Sequence, residues 1–287
     1  MTCSKCKVEF EITEQDSAFY QKINMPEPNL CHLCIRQRVV CWRNQRTLHS
    51  GICAVTKKSV ITVFPKEYTI YNRDYWWSDK WDALTYGQDV DFSKSFNDQF
   101  NQLMHRVPMA AVFNGKSENS DYCNHIGMAK NCYLSFASWE VENMHYSDMA
   151  VKVKDSMDLL GVSEVENCYE LINCVKCYNV RFSKDSENCS DSQFLVDCKN
   201  CSNCLGCTNL RNKSFHILNQ CYTKEEYFQQ FKSLALNTRE GQEKFRSQFE
   251  DLLAKSIRIY AKQFNCEDST GNGIRRLSNC KWCFALD

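Results

Sequence analysis

Four cysteines near the N-terminus carry the clearest chemistry. Cys3-Ser-Lys-Cys6 and Cys31-His-Leu-Cys34 are two C-x2-C pairs separated by 24 residues. Two such pairs supply four thiolates in a tetrahedron, the closed geometry of structural zinc. No fifth group is arranged beside them for catalysis, so the expectation is one structural Zn2+ held by Cys3, Cys6, Cys31 and Cys34. The competing reading is two unrelated pairs of buried thiols. A second run, CKNCSNCLGC, places Cys198, Cys201, Cys204 and Cys207 three residues apart and also resembles a ligand set. The bacterial ferredoxin run ends with a three-residue gap and a proline, whereas this run keeps gaps of two and is followed by Thr208. Iron–sulfur or redox chemistry is therefore kept only as an alternative.

The stretch from 35 to 58 has Arg36, Arg38, Arg43, Arg46, Lys57 and Lys58, no acid, and Trp42 in its midst. Guanidinium groups with an interleaved aromatic suit phosphate contact and base stacking. Arg36, Arg38, Trp42, Arg43 and Arg46 are thus candidate contacts to RNA or DNA, against the simpler reading of a solvated basic face. The chain as a whole gives no such pull, since 35 Lys+Arg balance 35 Asp+Glu. His125, His145 and His216 fall at unrelated positions of the pattern described below and do not converge. No phosphate loop, nucleophile elbow, metalloprotease helix or dinucleotide fingerprint occurs.

The elements that must position these residues are mainly β with helical additions. Residues 1–58 read as a zinc ribbon with a helical insert and a basic stretch. Residues 59–116 read as a small β-unit whose Trp76, Trp77 and Trp81 pack a junction. An amphipathic helix follows from Ser93 to Arg106, with Phe96, Phe100, Leu103, Met104 and Val107 on one face. From 117 to 222 the chain divides into nine units of about twelve residues, one of them three residues short. The third position of these units is Asn or Asp in all but one, a residue type that tolerates left-handed backbone and suits a corner. The fourth position turns inward, with Cys132, Cys168, Cys177, Cys189 and Cys201 as repeat core. Twelve residues are too few for a helical repeat, so a β-solenoid is expected, with 12 or 24 residues per coil left open. Cys198 to Cys207 occupy slots that other units fill with small or apolar residues, and packing is the favoured reading for them. Thr223-Lys-Glu-Glu226 opens an αα-hairpin spanning 223–264. Residues 265–287 start a second solenoid run whose end is expected to be open.

CSKC at 3–6, PEPNLCHLCIRQR at 26–38, WRNQRTLH at 42–49, WWSDKWDALTYGQDVDF at 76–92, AKNCYL at 129–134, CSNCLGCTNLRNKSFHILN at 201–219 and YTKEEY at 222–227 together carry a resemblance. The chain resembles the uncharacterised zinc-ribbon and cysteine-rich repeat proteins common in ultra-small candidate-phyla bacteria. The resemblance implies a second zinc knuckle set within 53–75. Here only Cys53 remains, with Thr56 three residues on and Tyr71, Asn72, Arg73 and Asp74 in place of the other pair, so a second zinc is not expected. It also implies further repeats beyond residue 287, and it implies no activity.

Twenty cysteines without an export signal or a transmembrane segment point to a reducing, cytoplasmic setting. The expected function is a non-catalytic zinc-binding scaffold. It would engage a protein partner or a second copy at the solenoid end, with RNA or DNA contact through the zinc module. The alternative is a transferase-like enzyme built on the solenoid.

Overall fold

The computed structural model describes residues 1–41 and 46–286. It divides into two compact units, Met1–Trp139 and Glu140–Asp287, with the division inside a strand.

In the first unit, helix α1 (Glu14–Lys22) starts where Thr13 and Asp16 close a capping box, and α2 (His32–Val40) starts at Cys31. Strands β1 (His49–Ile52) and β2 (Ser59–Thr62) form an antiparallel hairpin. Strand β3 (Ile70–Tyr71) leads into the short helix α3 (Arg73–Trp76), capped by the Asn72 side chain. Helix α4 (Phe96–Arg106) begins three residues later than expected, with Leu103, Met104 and Val107 half-buried. Phe96 and Phe100 are exposed and stack on each other at 6.0 Å. Strand β4 (Met109–Ala110) pairs parallel with β3, and β5 (Asn114–Gly115) pairs parallel with β6 (Asn124–Lys130), before β7 (Phe136–His145) reaches the division. Trp76 contacts both Trp77 and Trp81 within this unit, and Trp77 is exposed. Trp81 contacts Tyr71 and Trp76, and the Trp76 indole N–H donates to the Pro108 carbonyl at 3.0 Å.

The second unit continues with β8 (Asp148–Glu166), β9 (Tyr169–Ile172), β10 (Tyr178–Lys184), β11 (Ser190–Val196), β12 (Ser202–Thr208), β13 (Ser214–Ile217) and β14 (Gln220–Cys221). From β8 to β13 the strands pair in chain order, all parallel, each residue opposite the one twelve further on: Met157↔Tyr169↔Arg181↔Gln193↔Leu205↔Ile217. Two regularities of period three accompany this register. From Cys123 to Cys207 every third residue is buried, and from His125 to Leu218 every third residue has a positive φ. Each twelve-residue stretch therefore contains four buried residues and four left-handed residues, each set spaced three apart.

This period of three corrects the apparent short unit at 165–173. A shift of three residues leaves the backbone in register and moves the Asn from one corner to the next. Asn167 still donates its side-chain amide to Asn179, twelve residues on, at 3.3 Å. The expected amide ladder is present at Asn188–Asn200–Asn212, with 2.8 Å at each step.

Serine and cysteine at the inward positions bond the backbone as well as pack. Serine hydroxyls there donate to the carbonyl two residues back and accept the amide twelve residues ahead. Ser156 donates to Lys154 O at 2.7 Å and accepts Cys168 N–H at 2.9 Å. The repeat-core cysteines do half of this. Cys132, Cys168, Cys177, Cys189 and Cys201 each donate the thiol to the carbonyl two residues back, at 3.2–3.4 Å. These carbonyls also accept backbone amides, as Val175, Glu187 and Lys199 do from Asn188, Asn200 and Asn212, so the thiol adds a second bond, and Leu171, Leu195 and Met144 fill equivalent positions without one.

Helices α5 (Lys224–Ser233), opened by the predicted Thr223/Glu226 capping box, and α6 (Arg239–Lys255) cover one face of this ladder. Phe194, Leu205 and Ile217 meet Tyr227, Leu236, Phe245 and Phe249 in one cluster. Gly206, at φ 63°, makes room for it: a Cβ there would lie 2.6 Å from Phe245 Cζ. The second helix ends at Lys255, not at Phe264 as expected. Asn209 captures the Ile257 carbonyl at 2.9 Å, and Lys262 pairs with Asp185, drawing the chain off the helix axis along the ladder. The last strands, β15 (Gln263–Phe264), β16 (Gly271–Arg275) and β17 (Cys283–Leu286), form a separate three-stranded parallel sheet.

Two substitutions test this account by denaturant unfolding. Ser156→Ala removes the acceptor of the buried Cys168 N–H, while the Lys154 carbonyl keeps the Asn167 N–H, and is expected to cost about 1–3 kcal/mol. Phe245→Ala empties the space above Gly206 and is expected to cost about 3–5 kcal/mol.

Candidate metal centre

The first cysteine pair sits on a tight loop after the Thr2↔Glu9 bridge. Cys3 N–H donates to Val8 O at 3.0 Å, Lys7 N–H donates to Cys3 O at 3.1 Å, and Lys7 takes a left-handed φ of 63°. This geometry turns both thiols of a C-x2-C inward. The second pair opens α2, with Cys31 as N-cap and Cys34 in the first turn. Two bonds join the halves: Ser4 N–H to Asn29 O at 2.9 Å, and Cys31 N–H to Cys3 Sγ at 3.3 Å.

All four sulfur atoms lie within 4.8 Å of one another, and Cys6 and Cys31 are 3.7 Å apart. A tetrahedron with metal–sulfur distances of about 2.3 Å has edges of about 3.8 Å, so the donor set fits a zinc-sized thiophilic ion. Cys3, Cys31 and Cys34 are buried against Phe10 and Leu30, and Cys6 is exposed. Backbone N–H groups of Cys31 and Cys6 lower the Cys3 thiol to about 6. Burial, followed by the neighbouring thiols, pushes Cys34 up to about 12. Four thiolates this close repel one another, and only a bound cation makes full ionisation favourable. Among the described residues this is the one cluster of three or more Cys, His, Asp or Glu ligand atoms.

Cys198, Cys201, Cys204 and Cys207 are buried but not brought together in this way. Each thiol donates to the carbonyl two residues back, at 3.3–3.6 Å. Contact with the Cys201 thiol, and then burial, hold Cys198 and Cys204 above the ordinary thiol range. The same thiol contacts act in the opposite direction on Cys201 and Cys207, and all four are buried packing residues spaced three apart.

Around Cys53 the chain repeats the backbone of the first centre without its ligands. Cys53 N–H donates to Lys58 O at 2.9 Å, Lys57 N–H donates to Cys53 O at 3.0 Å, and Lys57 has φ 58°. Ala54 N–H bonds Ile70 O at 2.8 Å, as Ser4 bonds Asn29. Asn72 caps α3 as Cys31 caps α2, and its N–H donates to Cys53 Sγ at 3.2 Å. Thr56, Asn72 and Tyr75 therefore stand where Cys6, Cys31 and Cys34 stand in the first loop pair. Sequence reading placed Cys53 and Thr56 but missed Tyr75, because only the left-handed lysine four residues after each first cysteine marks the equivalence. Burial raises the Cys53 thiol, but hydrogen bonds from Thr56 and Asn72 outweigh this and hold it below its ordinary value.

Of the basic candidates, Arg36 and Arg38 lie on α2 with exposed side chains, and Arg46 is also exposed. Trp42 and Arg43 lie outside the described residues.

Chelation is expected to release hydrogen-exchange protection at residues 3–34 while leaving 49–76 protected. Cys31→Ser should mimic chelation at the first centre, because structural metal binding is itself folding free energy. No family model matches the chain, and no curated protein matches it.

Proposed function

We propose that this protein is a non-catalytic zinc-binding scaffold of the cytoplasm. The grouping of Cys3, Cys6, Cys31 and Cys34 within 4.8 Å carries the reading, since a closed set of four thiols leaves no open position for substrate. Zinc is favoured over redox metals by the C-x2-C pairing and the single cluster. The twenty cysteines, all free thiols, fit a reducing compartment. No helix is long and apolar enough to cross a membrane.

The ladder is read here as a β-solenoid with one twelve-residue unit per coil. Its partner register of twelve and its corner period of three support that reading. In this role the ladder is a stiff support, and the strands at 263–286 offer a contact surface for a protein partner or a second copy. Exposed Phe264, Trp282 and Phe284 support this assignment. RNA or DNA contact through Arg36, Arg38 and Arg46 extends the same reading, supported by their exposure beside the metal loops.

Metal analysis of protein purified under reducing conditions tests the core of the proposal. About one zinc per chain and a colourless solution are expected. A brown protein absorbing near the iron–sulfur region, or an absence of metal that persists after zinc is supplied during refolding, would overturn it. Arg36→Ala/Arg38→Ala should weaken binding of single-stranded RNA by about tenfold at low salt, and unchanged binding removes the nucleic-acid extension.

A further inference from the structure

Beside α6 the ladder carries a pocket of about 480 Å3 that the scaffold reading does not use. Its floor comes from neighbouring strands: Tyr169 on β9 lies directly opposite Arg181 on β10, with Glu170 and Phe182 next to them. Its wall comes from Gln242 and Arg246, one turn apart on α6.

Arg246 is held in place mainly by aromatic rings. Its guanidinium lies over Phe182 and Phe194, 5.3 and 5.6 Å from the ring centroids. It approaches Glu170 only to 3.8 Å, too far for the short bidentate pair that would use up its donors. Arg181 is exposed, and among the described residues its side chain has no ion pair or hydrogen bond. Two guanidinium groups thus face one pocket that offers a single carboxylate. That carboxylate is already engaged, because its bond with the Tyr169 hydroxyl holds the phenol above its ordinary value.

We propose that this pocket binds a small hydroxylated molecule carrying an oxyanion, either phosphate or carboxylate. Guanidinium forks match both oxyanions in a plane, so Arg181 and Arg246 would take the anionic group. Glu170 would accept from one ligand hydroxyl with its remaining lone pairs, and the Tyr169 oxygen, whose proton goes to Glu170, would accept from another. The volume lies within the range of small-molecule sites, about 300–1,000 Å3. This inference is independent of the metal centre and of the proposed scaffold role.

Calorimetry on the full chain at about 20 mM salt, where the charges are little screened, tests it with three probes: glucose 6-phosphate, glucuronate and glucose. One-to-one binding of at least one anion, with Kd below about 1 mM, is expected, with glucose silent. The stronger anion identifies the source of the charge. Arg181→Gln removes an exposed side chain and should weaken that binding by about tenfold with an unchanged circular dichroism spectrum. Arg246→Gln should do the same. Its loss of ring contacts makes Arg181→Gln the deciding variant. Failure of both anions to saturate, or full-strength binding by Arg181→Gln, overturns the proposal.

Discussion

A left-handed corner at every third residue is the constraint on which the larger part of this molecule depends. An L-residue in that conformation costs roughly 1–2 kcal/mol, and the chain adopts it from His125 to Leu218 at regular intervals. Such a backbone persists only where its surroundings over-determine it. The parallel ladder does so, because each corner is flanked by amide and carbonyl groups bound to strands twelve residues away. Asn and Asp at many corners reduce the cost locally, and their side-chain amides add bonds along the stack. Phe182, Phe194 and Phe215 also occupy corners, where backbone relief is absent and ring packing beneath or beside α5 and α6 compensates.

Many of the cysteines fall in the series of residues buried at every third position. The series buries Val, Leu, Ile and Met as well as Ser and Cys, and serine and cysteine add a hydrogen bond to the carbonyl two residues back. The same residue type therefore has two unrelated jobs in one chain. At residues 3–34 the sulfur atoms face one another, and at 198–207 each faces a backbone carbonyl. The difference lies in what the backbone directs each sulfur toward, since the local spacing C-x2-C is common to both.

Much of this was legible in the residues. The spacing of Cys3, Cys6, Cys31 and Cys34 located the centre, because ligand geometry is a local property of two loops. Asn and Asp at one corner revealed the period of twelve. The period of three was hidden, since inward slots accept Ser, Cys, Val, Leu, Ala and Met, and corners accept many residue types, so neither class leaves a single-letter trace. The end of α6 was also hidden. Its continuation to Phe264 is acceptable to helix propensity, and it is cut short by Asn209 and Asp185, which are distant in sequence. The pocket beside α6 could not be read at all, because Arg181 and Arg246 come together only through packing.

The two cysteine loops of the first unit show how one backbone can be stabilised in two ways. In both, a first cysteine receives an amide from the residue that caps the following helix, and a lysine in the left-handed region closes the turn. Around Cys3 the apolar support is limited to Phe10 and Leu30, so the loops depend on whatever joins the four sulfurs. Around Cys53 the support is aromatic. Tyr75 packs edge-on against Tyr71 at 5.2 Å, and Trp81 packs against both Tyr71 and Trp76. Asn72 supplies its oxygen to the Tyr75 N–H at 2.9 Å, satisfying the helix start that thiolates at Cys31 and Cys34 would otherwise face. Buried rings and a helix cap each contribute on the order of 1 kcal/mol or more, and several together approach what a marginal loop pair needs. The two loop pairs thus share a backbone and differ in the side chains packed around it.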